Sequence, residues 1–86
     1  MEFVVEMMFL GMSFTESKEY GDRYTVDMFF PGGDAWKFKV KDIDKNKPMI
    51  NALHMLKCGD KAECKCRLMT MKDGALYLGL IDVAVE

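Results

Sequence analysis

Hydrophobic and polar residues alternate along most of this chain, which is the pattern of β-strands that bury one face. The clearest example alternates three hydrophobic residues with three lysines: Trp36, Phe38 and Val40 against Lys37, Lys39 and Lys41. Neighbouring side chains of a strand point to opposite faces, so one face can pack in a core while the other exposes three ammonium groups. Similar patterns predict four further strands, at residues 2–14, 24–30, 62–69 and 75–85.

Between residues 47 and 57 the hydrophobic period changes to that of an amphipathic helix. The residues at positions i, i+3, i+4 and i+7 are Met49, Ala52, Leu53 and Leu56. Asn46 suits the N-cap of this helix, and Gly59 suits a left-handed C-cap. The predicted order is therefore three strands, one helix and two strands, in a single domain that spans residues 1–86.

This order resembles that of the OB-fold, a small and partly open Greek-key barrel. A Gly59-Asp60 turn leads into the fourth strand, and the last strand ends in Asp82-Val83, as in OB-fold single-stranded DNA-binding proteins. The resemblance implies a mainly β fold, a five-stranded OB-fold-like barrel with one short helix between strands 3 and 4. The chain stops at Glu86 without the flexible acidic tail of the bacterial family, which favours a minimal binder of the type carried by phages and mobile elements.

Proteins that resemble this family grip single strands across the outer face of strands two and three, and the resemblance therefore assigns site residues. Phosphates would contact lysines, and unpaired bases would stack on aromatic rings. The nucleic-acid-binding set is Lys37, Lys39, Lys41, Lys65, Arg67, Phe29, Tyr77 and Trp36. Residues in or next to the loops could add to it: Lys18, Tyr20, Arg23 and Lys72.

Each aromatic residue of this set also has a purely structural interpretation. Trp36 shares its face with Phe38 and Val40, which indicates the core more than a stacking platform. Phe29 could cover an oligomer interface, and Tyr77 could shield its own sheet.

The charge is distributed unevenly along the chain. The net charge is −2, but residues 37–67 hold nine of the twelve basic residues and four of the fourteen acidic ones, a local charge of +5. The remaining residues carry −7, so a basic patch on an acidic body is expected. The alternative is that the lysines only keep strand faces soluble.

The composition is that of a soluble globular protein, because half of the residues are hydrophobic and 30% are charged. No apolar run approaches the length of a membrane span, and Glu2 and Glu6 interrupt the apolar N-terminus, which argues against a signal peptide. Three cysteines are a poor disulfide framework, so we expect reduced thiols and a cytoplasmic protein.

Metal and catalytic motifs are weak or missing from the sequence. Four potential zinc ligands occur, namely His54, Cys58, Cys64 and Cys66, but they lack paired C-x₂-C spacing, and Cys64 and Cys66 are expected to point inward. Lys47 replaces the glycine that a calcium loop needs. Without a nucleophile motif, P-loop or dinucleotide fingerprint, we expect neither an enzyme nor a bound cofactor.

The sequence therefore predicts non-enzymatic binding of single-stranded nucleic acid, DNA more than RNA, with little sequence preference. A small protein–protein interaction module on the same barrel is the alternative. Both faces of the first strand are apolar, with Phe3 and Val5 on one and Val4 and Met8 on the other, so we also expect a homodimer through this strand.

Overall fold

A computed structural model describes residues 1–19 and 21–85 of the chain. It contains five strands and one helix in the predicted order. They are β1 (Glu2–Thr15), β2 (Arg23–Phe29), β3 (Ala35–Val40), α1 (Lys47–His54), β4 (Lys61–Thr70) and β5 (Leu76–Val85). The prediction of a mainly β domain, with five strands and a helix between the third and fourth, is confirmed.

The five strands form one antiparallel sheet in the order β3-β2-β1-β4-β5, with β1 at its centre. Residues 2–8 of β1 pair with β4, and residues 8–15 pair with β2, so that β1 changes partner at Met8. The register of the β1–β2 pair shifts between Phe9 and Gly11. A bulge of this kind bends a strand and increases its twist.

The two edge strands approach each other but form no ladder among the described residues. Cα atoms of β3 and β5 come within 8 Å, but the strand pairing ends at β3 on one side and at β5 on the other. The sheet is therefore curled and open, and the OB-fold-like barrel implied by the resemblance remains a prediction.

The inner face of the sheet and one side of α1 enclose the hydrophobic core. Its members are Met7, Phe9, Val26, Met28, Phe38, Val40, Met49, Ile50, Leu53, Leu56, Ala62, Cys64, Cys66 and Val83. These residues alternate along each strand as the sequence pattern requires. Burial of each large side chain contributes about 1.5–3 kcal/mol, and no polar or charged residue is buried among the described ones.

The helix is shorter than predicted, and the two residues predicted to cap it make hydrogen bonds elsewhere in the chain. The helix ends at His54, and the N–H groups of Met55 and Leu56 bond to carbonyls three residues back, which tightens the last turn. Asn46 precedes the helix without a side-chain capping bond, and its amide donates instead to the Lys41 carbonyl at 2.6 Å. Gly59, with φ 98°, lies beyond the helix and donates its N–H to the Phe9 carbonyl at 2.8 Å.

The far end of the β4–β5 hairpin departs from the predicted burial. Leu68 continues the alternation of Cys64 and Cys66, and Leu76 continues that of Leu78 and Leu80, so the sequence pattern predicts that both leucines face the core. Their exposed fractions are nevertheless 40% and 64%. The pairing of β1 with β4 ends at Glu2 and Arg67, so β4 continues beyond it with β5 as its paired strand. The hairpin therefore projects past the core and exposes its inner leucines.

No helix among the described residues is long and apolar enough to cross a membrane.

The three cysteines differ in environment in a way that thiol labelling can measure. Burial raises the pKa of Cys64 to about 12 and also raises that of Cys66, whereas Cys58 is exposed. We expect a thiol reagent at pH 8 to modify one cysteine of the folded protein and all three after denaturation. Mass spectrometry would identify Cys58 as the labelled residue, and rapid labelling of Cys64 in the native state would contradict this core.

Candidate functional site

The outer faces of β2 and β3 form one continuous surface, which we call the β2–β3 face. Alternation along the two strands brings together Arg23, Thr25, Asp27 and Phe29 from β2 and Ala35, Lys37 and Lys39 from β3. In the register of the pair, Lys37 lies opposite Asp27 and Lys39 opposite Thr25. Each of these outer residues alternates with a buried one such as Val26 or Phe38.

The lysines of β3 are exposed and uncompensated. Within the described part of the chain, Lys37 and Lys39 make no ion pair shorter than 4.0 Å. Lys41, which was predicted to belong to the third strand, follows its last residue, Val40, and is also exposed. The backbone turns away there, since Asp42 adopts a φ of 51°. Two lysines therefore lie on the face itself and a third at its end.

The cations of β4 are in a different situation. The Lys65 ammonium lies 3.3 Å from Glu2 Oε1, and Arg67 donates its Nε–H to Glu2 Oε2 at 3.1 Å. Glu6 pairs with Lys61 at 3.9 Å in the same ladder. Hydrogen bonds from Arg67, and then from Lys65, lower the pKa of the Glu2 carboxyl. Acidic residues of β1 thus neutralise the basic residues of β4.

The structure therefore does not join Lys65 and Arg67 to the lysines of β3. The strands β2 and β1 stand between β3 and β4, a separation of about 14 Å along the sheet. The predicted basic set divides into a compensated group on β4 and an uncompensated group on β3. Cross-strand register, which the sequence does not reveal, produces this division.

The three predicted aromatic residues lie in three places. Phe29 is half-buried on the β2–β3 face, opposite Ala35. Trp36 has the parity of the core residues but is 44% exposed, because it lies at the start of β3. Tyr77 is on the outer face of β5, where its hydroxyl donates to Met69 Sδ at 3.4 Å.

Parity turns Phe29 outward on the second predicted strand and Tyr77 outward on the fifth, and the resemblance implies that the two rings lie side by side. The strand order corrects this expectation. Strands β1 and β4 separate β2 from β5 within the sheet. The side chain of Met69 lies over Gly79, the residue of β5 that pairs with Arg67. A Cβ added at Gly79 would collide with Met69 Cε. Tyr77 therefore belongs to a separate outer surface, that of the β4–β5 hairpin.

The loop residues are only partly described. Lys18 and Lys72 are exposed in the connections, and Tyr20 lies outside the described residues. Arg23, placed by the sequence next to the first loop, is the first residue of β2 and faces outward opposite Thr15. The two-residue period of β2 carries the signal that assigns Arg23 to the same face as Asp27 and Phe29.

The described residues contain no group of three or more His, Cys, Asp or Glu side chains suited to a metal ion. Cys64 and Cys66 are buried, whereas His54 and Cys58 are exposed. The His54 ring instead makes an edge contact with Tyr24, with centroids 5.6 Å apart.

Comparison with protein-family models, with curated proteins and with solved structures finds no match to this chain. The geometry of the face is thus the basis for any functional assignment.

Acid should remove the contribution of Glu2 to stability. The folded-state pKa of Glu2 lies below its ordinary value of 4.5, so its ion pairs stabilise the fold above that pH and are lost as the pH falls through the folded-state pKa. We expect wild type to unfold at higher urea concentration than Glu2→Gln at pH 7, by a small margin because the pair is exposed. The difference should shrink as the pH falls below 4.5 and disappear once Glu2 is protonated in the folded protein, and a difference that grows in acid would contradict this assignment.

Proposed function

We propose that this chain is a non-enzymatic, OB-fold-like domain that binds single-stranded nucleic acid, principally DNA, across the β2–β3 face. The observation that carries the proposal is the uncompensated state of Lys37 and Lys39. The protein places acidic partners beside the cations of β4 and none within ion-pair distance of those of β3, in the described part of the chain. A cationic row without internal partners suits an external polyanion.

The shape and chemistry of the face favour an unpaired strand. Alternate residues of a β-strand lie about 6.6 Å apart, so Lys37 and Lys39 form a short line of charge that an extended phosphate backbone can follow. Phe29 lies on the same face, on the neighbouring strand, and offers a ring to an unpaired base. Stacking of one base on an aromatic side chain contributes about 1–3 kcal/mol and tolerates every base.

The OB-like barrel is part of this proposal. In support, β1 is shared between two partner strands, and the edges of β3 and β5 approach within 8 Å. The three free thiols suit a cytoplasmic site of action, where cysteines stay reduced.

A homodimer through β1 also belongs to the proposal. Residues 2–7 pair with β4 on one side, and β2 joins β1 only from Met8 onward. Alternate backbone groups of this segment therefore point to an edge with no paired strand among the described residues. Val4, 63% exposed, adds apolar surface there. Such an edge is a template for pairing with a second chain.

A protein-interaction module is the second candidate. The projecting end of the β4–β5 hairpin supports it, because Leu68, Met71 and Leu76 are exposed together there. Large apolar side chains at a projecting tip suit a protein partner better than phosphates.

Charge removal on the β2–β3 face tests the principal proposal. We expect Lys37→Gln with Lys39→Gln to weaken binding of fluorescein-labelled oligo-dT at least tenfold at low salt, measured by anisotropy. Two lost phosphate contacts should also reduce the slope of log K against log salt by about 1.4.

Lys61→Gln with Lys65→Gln is the matched control, since it removes the same charge from the same sheet at residues already paired with Glu6 and Glu2. It should change affinity less than twofold. Equal losses of affinity in both double variants, or no binding of oligo-dT by wild type, would refute the assignment to this face. If the β3 variant still captured a protein partner as well as wild type does, the protein-interaction module would be favoured.

The dimer can be tested by sedimentation equilibrium. We expect wild type to show twice the 9.9 kDa monomer mass, and Val4→Lys to shift the mass toward the monomer because an ammonium group at the open edge opposes pairing. Met55→Lys changes another exposed apolar residue, at the end of the helix, and should leave the mass unchanged. A wild-type mass of 9.9 kDa at all concentrations would exclude the dimer.

A further inference from the structure

The β2–β3 face contains one acidic residue, Asp27, at its centre. Thr25 and Phe29 flank it on the same strand, and Lys37 lies opposite it on β3. Its carboxylate oxygen Oδ1 is buried and has no hydrogen-bond partner among the described residues. It is the one buried side-chain oxygen or nitrogen in that part of the chain of which this is true.

A buried carboxylate oxygen without a donor is unfavourable, because it has lost water and gained nothing in return. Lys37 is the nearest candidate donor by register, but no ion pair shorter than 4.0 Å joins the two side chains. An anion at the centre of a phosphate-binding face would also repel the ligand. Its position is explained if the ligand itself supplies a donor.

The β1 side of Asp27 is open, so a rotation of its side chain out of the buried position would present both carboxylate oxygens to such a donor. On β1 the residue paired with Asp27 is Gly11, at the bulge. A Cβ added at Gly11 would meet no atom within 4 Å, so the space above this glycine is open. The gap borders the Asp27 side chain on the side away from Lys37.

We propose that Asp27 is a specificity-determining residue that accepts hydrogen bonds from the Watson–Crick edge of one unpaired base, and that it favours guanine. This inference rests on the proposed function. Guanine presents two adjacent donors, N1–H and the N2 amino group, which match the two oxygens of a carboxylate. Thymine presents one donor between two carbonyl oxygens, which a carboxylate repels.

The binding that results is tolerant of sequence at most positions and selective at one. Lysine contacts with phosphates and the stacking on Phe29 do not distinguish bases. The carboxylate adds discrimination to the base that enters the gap over Gly11.

The test compares three ten-nucleotide thymidine oligomers, of which one is unmodified, one has a central guanosine and one has a central inosine. Guanosine and inosine are both purines with an N1–H donor, so their comparison isolates the N2 amino group. We expect wild type to bind the guanosine oligomer about fivefold more tightly than the inosine oligomer. The order of affinity should be guanosine, inosine, thymidine.

Asp27→Asn is the matching variant, since it keeps the side-chain shape and removes the charge. It should bind the guanosine and inosine oligomers within twofold of each other, and the thymidine oligomer at least as tightly as wild type does. The wild-type comparison stands even if this variant does not fold.

Two results would overturn the inference while leaving the proposed function intact. They are equal wild-type affinity for the guanosine and inosine oligomers, and a guanosine preference that survives Asp27→Asn. A uniform tightening of all three oligomers by Asp27→Asn, without a wild-type preference, would show instead that Asp27 only neutralises Lys37. Failure of wild type to bind any oligomer would overturn both this inference and the proposed function.

Discussion

The change of hydrogen-bonding partner along β1 determines both faces of this molecule. Because β1 pairs with β4 up to Met8 and with β2 from Met8 onward, one strand joins two halves of the sheet. The bulge between Phe9 and Gly11 lets these halves turn toward each other, so that their inner side chains meet α1 in one core. The same bend divides the outer surface into a β1–β4 region and a β2–β3 region. Acidic and basic side chains form ion pairs in the first region, whereas the lysines of the second have no ion-pair partner among the described residues.

The position of the acidic residues on β1 explains how an acidic protein keeps a cationic surface. Glu2 and Glu6 lie in the half of β1 that pairs with β4, so they reach Lys61, Lys65 and Arg67 and no lysine of β3. With a net charge of −2, the molecule has more carboxylates than cations. Register, and not composition, decides which cations remain available. The β2–β3 face owes its character to this selective compensation, and Asp27 is the one acidic residue that remains on it.

The elements of the fold could be read from the sequence, whereas the division of its surface could not. Alternation and the i, i+3, i+4 pattern are local, and they located every strand and the helix to within a few residues. The burial predicted for Leu76 was wrong because it depends on where the pairing of β1 with β4 ends, which is a tertiary property. Likewise, the grouping of Lys65 with Lys37 overlooked the two strands between them, and the pairing of Glu2 with Arg67 joins residues 65 positions apart. Parity predicts which way a side chain points, and only register predicts its neighbour.

Amide NMR spectra of the ¹⁵N-labelled protein, recorded during titration with oligo-dT, would map the binding surface residue by residue. We predict that the shifts concentrate on β2 and β3, around Asp27, Phe29, Lys37 and Lys39, while the amides of Lys61–Arg67 on β4 change little. Shifts concentrated on the β4–β5 hairpin, or spectra that do not change at low salt, would contradict binding across the β2–β3 face.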